Sequence, residues 1–284
     1  MSAVELRPIA PADAARVAAF LHEHMNGAIA PEAWRHAIVP PWGHRGPNAG
    51  VMLLDGDAVV GALLALYSEP PGERGRFCNL GTWCVLPRYR LHSLRLLRRL
   101  LAQPGYHFTD LSPAPEVVRI NEKLGFVDVD TRASLLPCLP WPGRRRGVLI
   151  SSDPAAIERT LDGDDLVRYR DHAAAPAVRH VVLRAGDARC WVVLRRERRK
   201  GLPLFAHLLH VSDPPLLHRL ARPFAAHLLR RHRVVACIAE ERVAGGRLPG
   251  ARPFQPRARR MYRSRTLAPD QLDYLYSELV CLPA

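Results

Sequence analysis

Residues 77–101, FCNLGTWCVLPRYRLHSLRLLRRLL, change their period in the middle. Phe77 to Leu86 is an apolar run stopped by Pro87, whereas Leu94, Leu97, Leu100 and Leu101 recur at helical spacing with Arg95, Arg98 and Arg99 between them. A strand therefore passes directly into an amphipathic helix. Strand alternation expects Cys78, Leu80, Thr82 and Cys84 on one face and Trp83 and Val85 on the other. Upstream, Val4–Pro8 reads as a strand, and Pro11, Asp13, Val17, Phe20 and Leu21 as the helix after it. Past a loop rich in Pro and Gly (Pro40 to Pro47), residues 50–69 hold two apolar strands flanking the hairpin dipeptide Asp55-Gly56. Downstream, Tyr106–Leu111 is a short strand. Ser112 and Pro113 then open a helix whose face is Val117, Ile120 and Leu124, and Gly125 closes it. The order is β-α, β-β-β-α, β-α.

The chain has 284 residues, 48% hydrophobic and 24% charged, which suits a folded protein of two domains of roughly 140 residues each. No apolar run approaches the ~18 residues of a membrane-spanning helix, and the start MSAVELRP lacks a signal-peptide pattern, so no membrane partner and a cytoplasmic location are expected. The six cysteines form no C-x-x-C pair, which argues against a metal cluster or a disulfide scaffold. The formal charge of +14 attracts anions of any kind, and a general arginine-rich bias accounts for it equally well. The clusters at 195–200 (RRERRK) and 257–260 (RARR) sit at strand ends and loops, so they read as solvated surface and nucleic-acid binding is not expected.

A Pro-rich, basic stretch from Pro137 to Gly147 separates the halves, giving domains at 1–140 and 148–284 with a linker at 141–147. The second half repeats the first faintly. Ala185-Gly186-Asp187-Ala188 parallels Asp55-Gly56-Asp57-Ala58 at an offset of 130 residues, and Leu228-Leu229-Arg230-Arg231 parallels Leu96-Leu97-Arg98-Arg99 at 132. Its central strand, Leu204–Val211, runs into Ser212-Asp213-Pro214-Pro215, where an acidic residue disfavours a second phosphate site. Pro223 places a helix start near Arg222 or a kink. The tail from Arg260 to Pro283 reads as a helix and a closing strand for one of the two sheets, and strand alternation turns His207 and His210 opposite ways.

The order of elements, the segment VLPRYR at the end of the central strand and NEKLGFVDVD after the last helix resemble the GNAT superfamily of N-acetyltransferases over residues 1 to 140. The resemblance implies an α/β (α+β) protein of two GNAT-like domains, each a mixed, largely antiparallel sheet flanked by helices, the second degenerate. It implies that acetyl-CoA or another acyl-CoA, as co-substrate, lies where the central strand splays from its neighbour. Backbone groups of Cys84, Val85 and Leu86 would hold the thioester and pantetheine, and the turn Arg90, Leu91, His92, Ser93, Leu94 and Arg95 would hold the pyrophosphate at a helix start. Ser93 and Arg95 stand where the family pattern has glycines, and Asn121 where it often has an acid tyrosine. Glu73, His92 and Asp110 lie near enough to serve as base or amine contact, and no catalytic side chain is assigned. Two functions follow from the resemblance. One is acyl transfer from CoA to an amine on a small-molecule acceptor, with no metal; the other is a catalytically inactive GNAT-fold protein that binds an anionic partner. The oligomeric state is not legible.

Overall fold

The computed structural model describes residues 4–43, 45–71, 75–141, 146–199, 202–256 and 258–283. In the first half the strands are β1 (Glu5–Pro8), β2 (Gly50–Asp55), β3 (Ala58–Ser68), β4 (Arg76–Val85), β5 (Tyr106–Asp110), β6 (Val127–Asp128) and β7 (Ala133–Pro137). The helices are α1 (Ala14–His24), α2 (Pro31–Ile38), α3 (Ser93–Leu101) and α4 (Pro115–Lys123). The second half has β8 (Val148–Ser151), α5 (Pro154–Thr160), α6 (Gly163–His172), β9 (Val178–Ala185), β10 (Ala188–Arg199) and β11 (Leu202–Val211). There follow α7 (Pro214–Arg219), α8 (Ala221–His232), β12 (Ala236–Glu240), α9 (Glu241–Ala244), β13 (Arg252–Phe254), β14 (Met261–Arg263) and α10 (Glu278–Cys281).

Two seven-stranded sheets result, in the orders β1-β2-β3-β4-β5-β14-β6 and β8-β9-β10-β11-β12-β7-β13. Each is antiparallel except for one central parallel pair, β4 with β5 and β11 with β12. The two orders match position for position. The β2-β3 and β9-β10 turns both place a glycine in the left-handed region, Gly56 at φ 59° and Gly186 at φ 60°, as the faint sequence repeat predicts. Pro223 is the third residue of α8, where its missing N–H costs no helical bond.

The sixth place in each sheet is filled by a strand from the other half. Met261 of β14 pairs with Asp110 at the end of β5, and Ala133 of β7 pairs with Glu240 at the end of β12. The sheets therefore divide the chain differently from a cut in the Pro137–Gly147 stretch, of which residues 142–145 lie outside the described residues. A strand joins a sheet at Met261–Arg263, but the closing strand expected in the apolar end of the tail is corrected: beyond β14 the chain holds a 3-10 turn at Pro269–Gln271, the short helix α10 and, among the described residues, no strand. Tyr274, Leu275, Val280 and Cys281 are wholly buried in a cluster with residues of α1, α2 and β9–β11, so the tail fills the seam between the halves. A segment buried on all sides has no open sheet edge to join. The outer faces form separate cores, Leu96, Leu97 and Leu100 of α3 on the first sheet and Phe224 and Leu228 of α8 on the second.

An ion pair pins the exchange. Arg260, just before β14, sends Nε to Glu240 Oε1 at 2.8 Å, and both residues are buried. Tyr274 donates to the other carboxylate oxygen, and His207 Nε2 lies 3.2 Å from Oε1. Burial alone would raise the Glu240 carboxyl, but His207 and Arg260 outweigh it and hold it at about 2. Arg260 is thus not the solvated surface arginine that its basic cluster suggests, and its neighbour Arg259 is paired with Glu122 and Asp128. Truncating Arg260→Ala leaves a buried carboxylate unpaired and should cost about 3–5 kcal/mol in urea unfolding. A carboxyl held below its usual 4.5 stabilises the fold above that pH and loses the contribution as pH falls towards 2. The stability loss of the wild type across that window should shrink in Arg260→Ala.

Candidate active site

The parallel pairing of β4 with β5 covers only Arg76–Asn79 against Tyr106–Thr109. From Leu80 to Val85 β4 stays with β3 and leaves β5, so a wedge opens between the two strands. A one-residue register shift lies where Leu63 faces Trp83 but Ala65 faces Leu80, which places a bulge in β4 at Gly81-Thr82. The bulge corrects the expected faces: Cys78 and Leu80 now share their core with Trp83 and Val85, while Cys84 turns to the opposite core. Cys84 Sγ lies 3.7 Å from the His24 carbonyl, and burial pushes its thiol up, so it is a packing residue.

Backbone direction follows from the register. The N–H of Leu86 donates to Val60 O at 3.0 Å, so Leu86 and Cys84 spend their backbone groups on β3. Val85 and Trp83 occupy the alternate pairs, and their N–H and C=O groups point to the side that β5 has vacated. Of Cys84, Val85 and Leu86, only Val85 turns its backbone groups to the vacated side, and Trp83 does the same.

The turn after β4 is wound. Pro87–His92 form a 3-10 helix that runs straight into α3, with the Ser93 N–H bonded to Arg90 O and the Tyr89 N–H to Leu86 O. Such winding consumes the amides that a bare-backbone phosphate site needs. Tyr89 is buried and donates to Asp55, anchoring the turn to the β2-β3 hairpin. The polar side chains point outward: Arg90 and Arg95 are exposed, His92 and Ser93 half-buried, and Arg95 Nη1 rests 3.1 Å from His92 Nδ1. Leu91 and Leu94 are exposed as well. Arg95 therefore does not plug the wedge.

A cavity of about 120 Å³ fills the wedge, lined among others by Leu80, Trp83, Asp110, Ser112, Val117 and Asn121. Asp110 ends β5, and Asn121 is wholly buried on the inner face of α4 together with Val118. The LGF ending sets that face: Gly125 (φ 82°) stops the helix, the Phe126 N–H returns to Asn121 O at 3.0 Å, and the Phe126 ring enters the core. Asn121 Nδ2 donates to Asp110 Oδ2 at 2.8 Å. Burial pushes the Asp110 carboxyl up to about 7, and the Glu278 carboxyl adds to the rise, while bonds from Asn121 and the Ser112 N–H act against it. Ser112 Oγ donates to Glu278 Oε1 at 2.6 Å, and burial raises Glu278 too. Two buried polar atoms of cavity residues have no partner among the described residues, the Trp83 indole Nε1 and the Asn121 Oδ1.

Ser112 also lines a second, larger cavity of about 630 Å³ in the seam, whose other walls include Leu111, Arg195, Glu197, His207, Glu240 and Arg260. The structure thus brings Asp110 and Asn121 together at one cavity, faces the Val85 backbone to the side that β5 has vacated, leaves Arg90 to Arg95 on the outer turn, and turns Cys84 away. Glu73 lies outside the described residues. Trp83, Ser112 and Glu278 were missed, the first because the bulge is invisible to strict alternation and the last because it sits 168 residues from Asp110. Sequence alternation also fails for the two histidines: a register shift at Leu209 turns His210 onto Trp191, in the core that Leu209 shares, so it lies on the His207 side.

No protein-family model matches the sequence, and no curated protein matches it. The fold is shared with solved structures. A GCN5-related N-acetyltransferase from Anabaena variabilis matches with a TM-score of 0.56 and 12% identity over 92% of this chain and 72% of that one. One from Kribbella flavida matches at 0.53 and 15% identity over 92% and 71%. A Pyrococcus horikoshii protein solved as a candidate acetyltransferase matches at 0.55 and 16% identity over 94% and 91%. Identities this low speak for the fold, and the chain has the GNAT fold in two copies. Replacing Asn121→Leu should raise the Asp110 carboxyl above 7 and Glu278→Gln should bring it back towards its ordinary 3.8, both read by carboxyl NMR titration.

Proposed function

We propose that the protein transfers an acyl group from CoA to an amine, in the wedge between β4 and β5. The observation that carries this reading is the Asp110 carboxyl, held at about 7 in a small cavity beside two polar groups, Trp83 Nε1 and Asn121 Oδ1, that no described residue satisfies. A base works best when its pKa lies near the working pH, and burial has brought this one there.

The parts fit the reaction. The vacated backbone groups of Trp83 and Val85 match an amide-bearing pantetheine, as a β-strand matches an added strand. The unbonded Trp83 indole N–H is a donor for the thioester carbonyl, whose oxygen gains negative charge on attack. The amine nitrogen bonds to the carbonyl carbon, Asp110 takes the amine proton, and the C–S bond breaks with its electron pair leaving on sulfur. The thiolate then takes up the proton that left the amine, which returns Asp110 to its carboxylate, so acyl-CoA and amine become amide and free CoA thiol. Since the wound turn uses the amides from Tyr89 to Ser93, the CoA phosphates fall to the side chains of Arg90 and Arg95.

Calorimetric titration with acetyl-CoA and other acyl-CoA thioesters should give saturable heat, and no heat with any thioester refutes the reading. In a thiol-release assay, Asp110→Asn should lower kcat/KM by about 10²–10⁴-fold. The wild-type rate should rise with pH and level off above about 7, because the carboxylate is the active form. The double variant Arg90→Glu/Arg95→Glu should weaken acetyl-CoA binding and leave acetyl-pantetheine, which has no pyrophosphate, unaffected.

A further inference from the structure

The seam cavity holds a cation for which the described residues supply no partner. Its two wall carboxylates are already engaged. Glu240 holds Arg260 at 2.8 Å and Glu197 Oε1 lies 3.0 Å from His207 Nδ1. Arg195 lies two residues before Glu197 on β10 and lines the same cavity. Among the described residues its guanidinium makes no hydrogen bond and no ion pair, and its Nε is shut off from solvent without a partner. Glu278 and Glu197 favour its charge from a distance, against the cost of burial. An arginine stays protonated even so, and a buried unpaired guanidinium is relieved by an arriving anion.

Apart from Ser112 and Gln255 the remaining walls are apolar, with Leu111, Ile238, Phe254 and Leu279 among them, and a volume of about 630 Å³ is that of a small-molecule site. We infer that Arg195 is the carboxylate anchor of the acceptor, which is therefore an amine carrying one carboxylate on an apolar body, as an amino acid with an apolar side chain does. The inference rests on the acyl-transfer reading for the word acceptor. Ser112, shared by both cavities, marks where the amine end would pass from the seam into the wedge towards Asp110. The planar fork of a guanidinium matches a carboxylate through two parallel bonds. A doubly charged phosphate suits the cavity less, because Glu197 and Glu240 stand in the same wall.

The test is calorimetry on the full chain without acyl-CoA, using L-leucine, L-phenylalanine, their carboxamides and inorganic phosphate. At least one free amino acid should bind, with its carboxamide about 10-fold weaker or more. Arg195→Gln should weaken the acid by about 10- to 100-fold and leave the carboxamide unchanged, with Arg195→Lys in between. Because the guanidinium has no hydrogen bond among the described residues and burial outweighs the distant pull of Glu278 and Glu197, Arg195→Gln should keep or raise the melting temperature. Equal binding of acid and amide, no binding of either acid, tighter binding of phosphate, or a lowered melting temperature in Arg195→Gln would each overturn the anchor. Amino-acid binding without turnover in the presence of acyl-CoA would sink the transferase reading and leave the anchor standing.

Discussion

Each sheet of this protein is completed by a strand from the opposite half, and the buried Arg260–Glu240 contact holds one of those crossings in place. The exchange ties the two halves together by backbone bonding rather than by surface contact alone. Because Met261 pairs with Asp110 and Ala133 with Glu240, the last residue of each inner strand is fixed by a strand of the other half. The seam that results is closed by the apolar tail on one side and left open as a cavity on the other. Removing the charge on either partner of the contact would strand the other in a medium of low polarity, which is why it acts as a constraint and not as a decoration of the surface.

The wedge owes its shape to a competition between neighbours. β4 keeps β3 over most of its length and β5 over only four residue pairs, so beyond Asn79 the parallel ladder ends and polar backbone faces empty space. The bulge at Gly81-Thr82 then rotates the last residues of β4, setting Trp83 and Val85 on the α3 side and Cys84 on the seam side. Asp110 and Glu278 approach each other from distant parts of the chain, and the Glu278 charge adds to burial in keeping Asp110 titrating near neutrality. The chemistry proposed for the wedge draws on that coupling.

Much of the first half was legible because its signals are local. The change of period at Pro87, the Asp55-Gly56 turn and the Gly125 stop each depend on the conformational preferences of a few adjacent residues, and all three appear where the sequence puts them. The faint repeat likewise corresponds to two sheets of one strand order. The wound turn was not legible: an arginine-led segment at a helix start looks the same in sequence whether its amides are open or folded into a 3-10 helix. Nor was the tail, whose apolar run suits a helix, a strand or, as found, a filler of the seam.

The sequence by itself determined the element order, the doubling of the fold and the placement of Asp110 at the end of an inner strand beside the Asn121 helix. Those follow from periodicity and turn chemistry, which act over a few residues. Only the tertiary structure decided which strand closes which sheet, which way Cys84 and Trp83 point, and that of Arg195 and Arg260, alike in their basic clusters, the first faces the seam cavity with no hydrogen-bond partner among the described residues while the second is buried in an ion pair. Pairing partners, a one-residue bulge and the charge across a cavity are set by contacts between distant residues, and no local pattern records them.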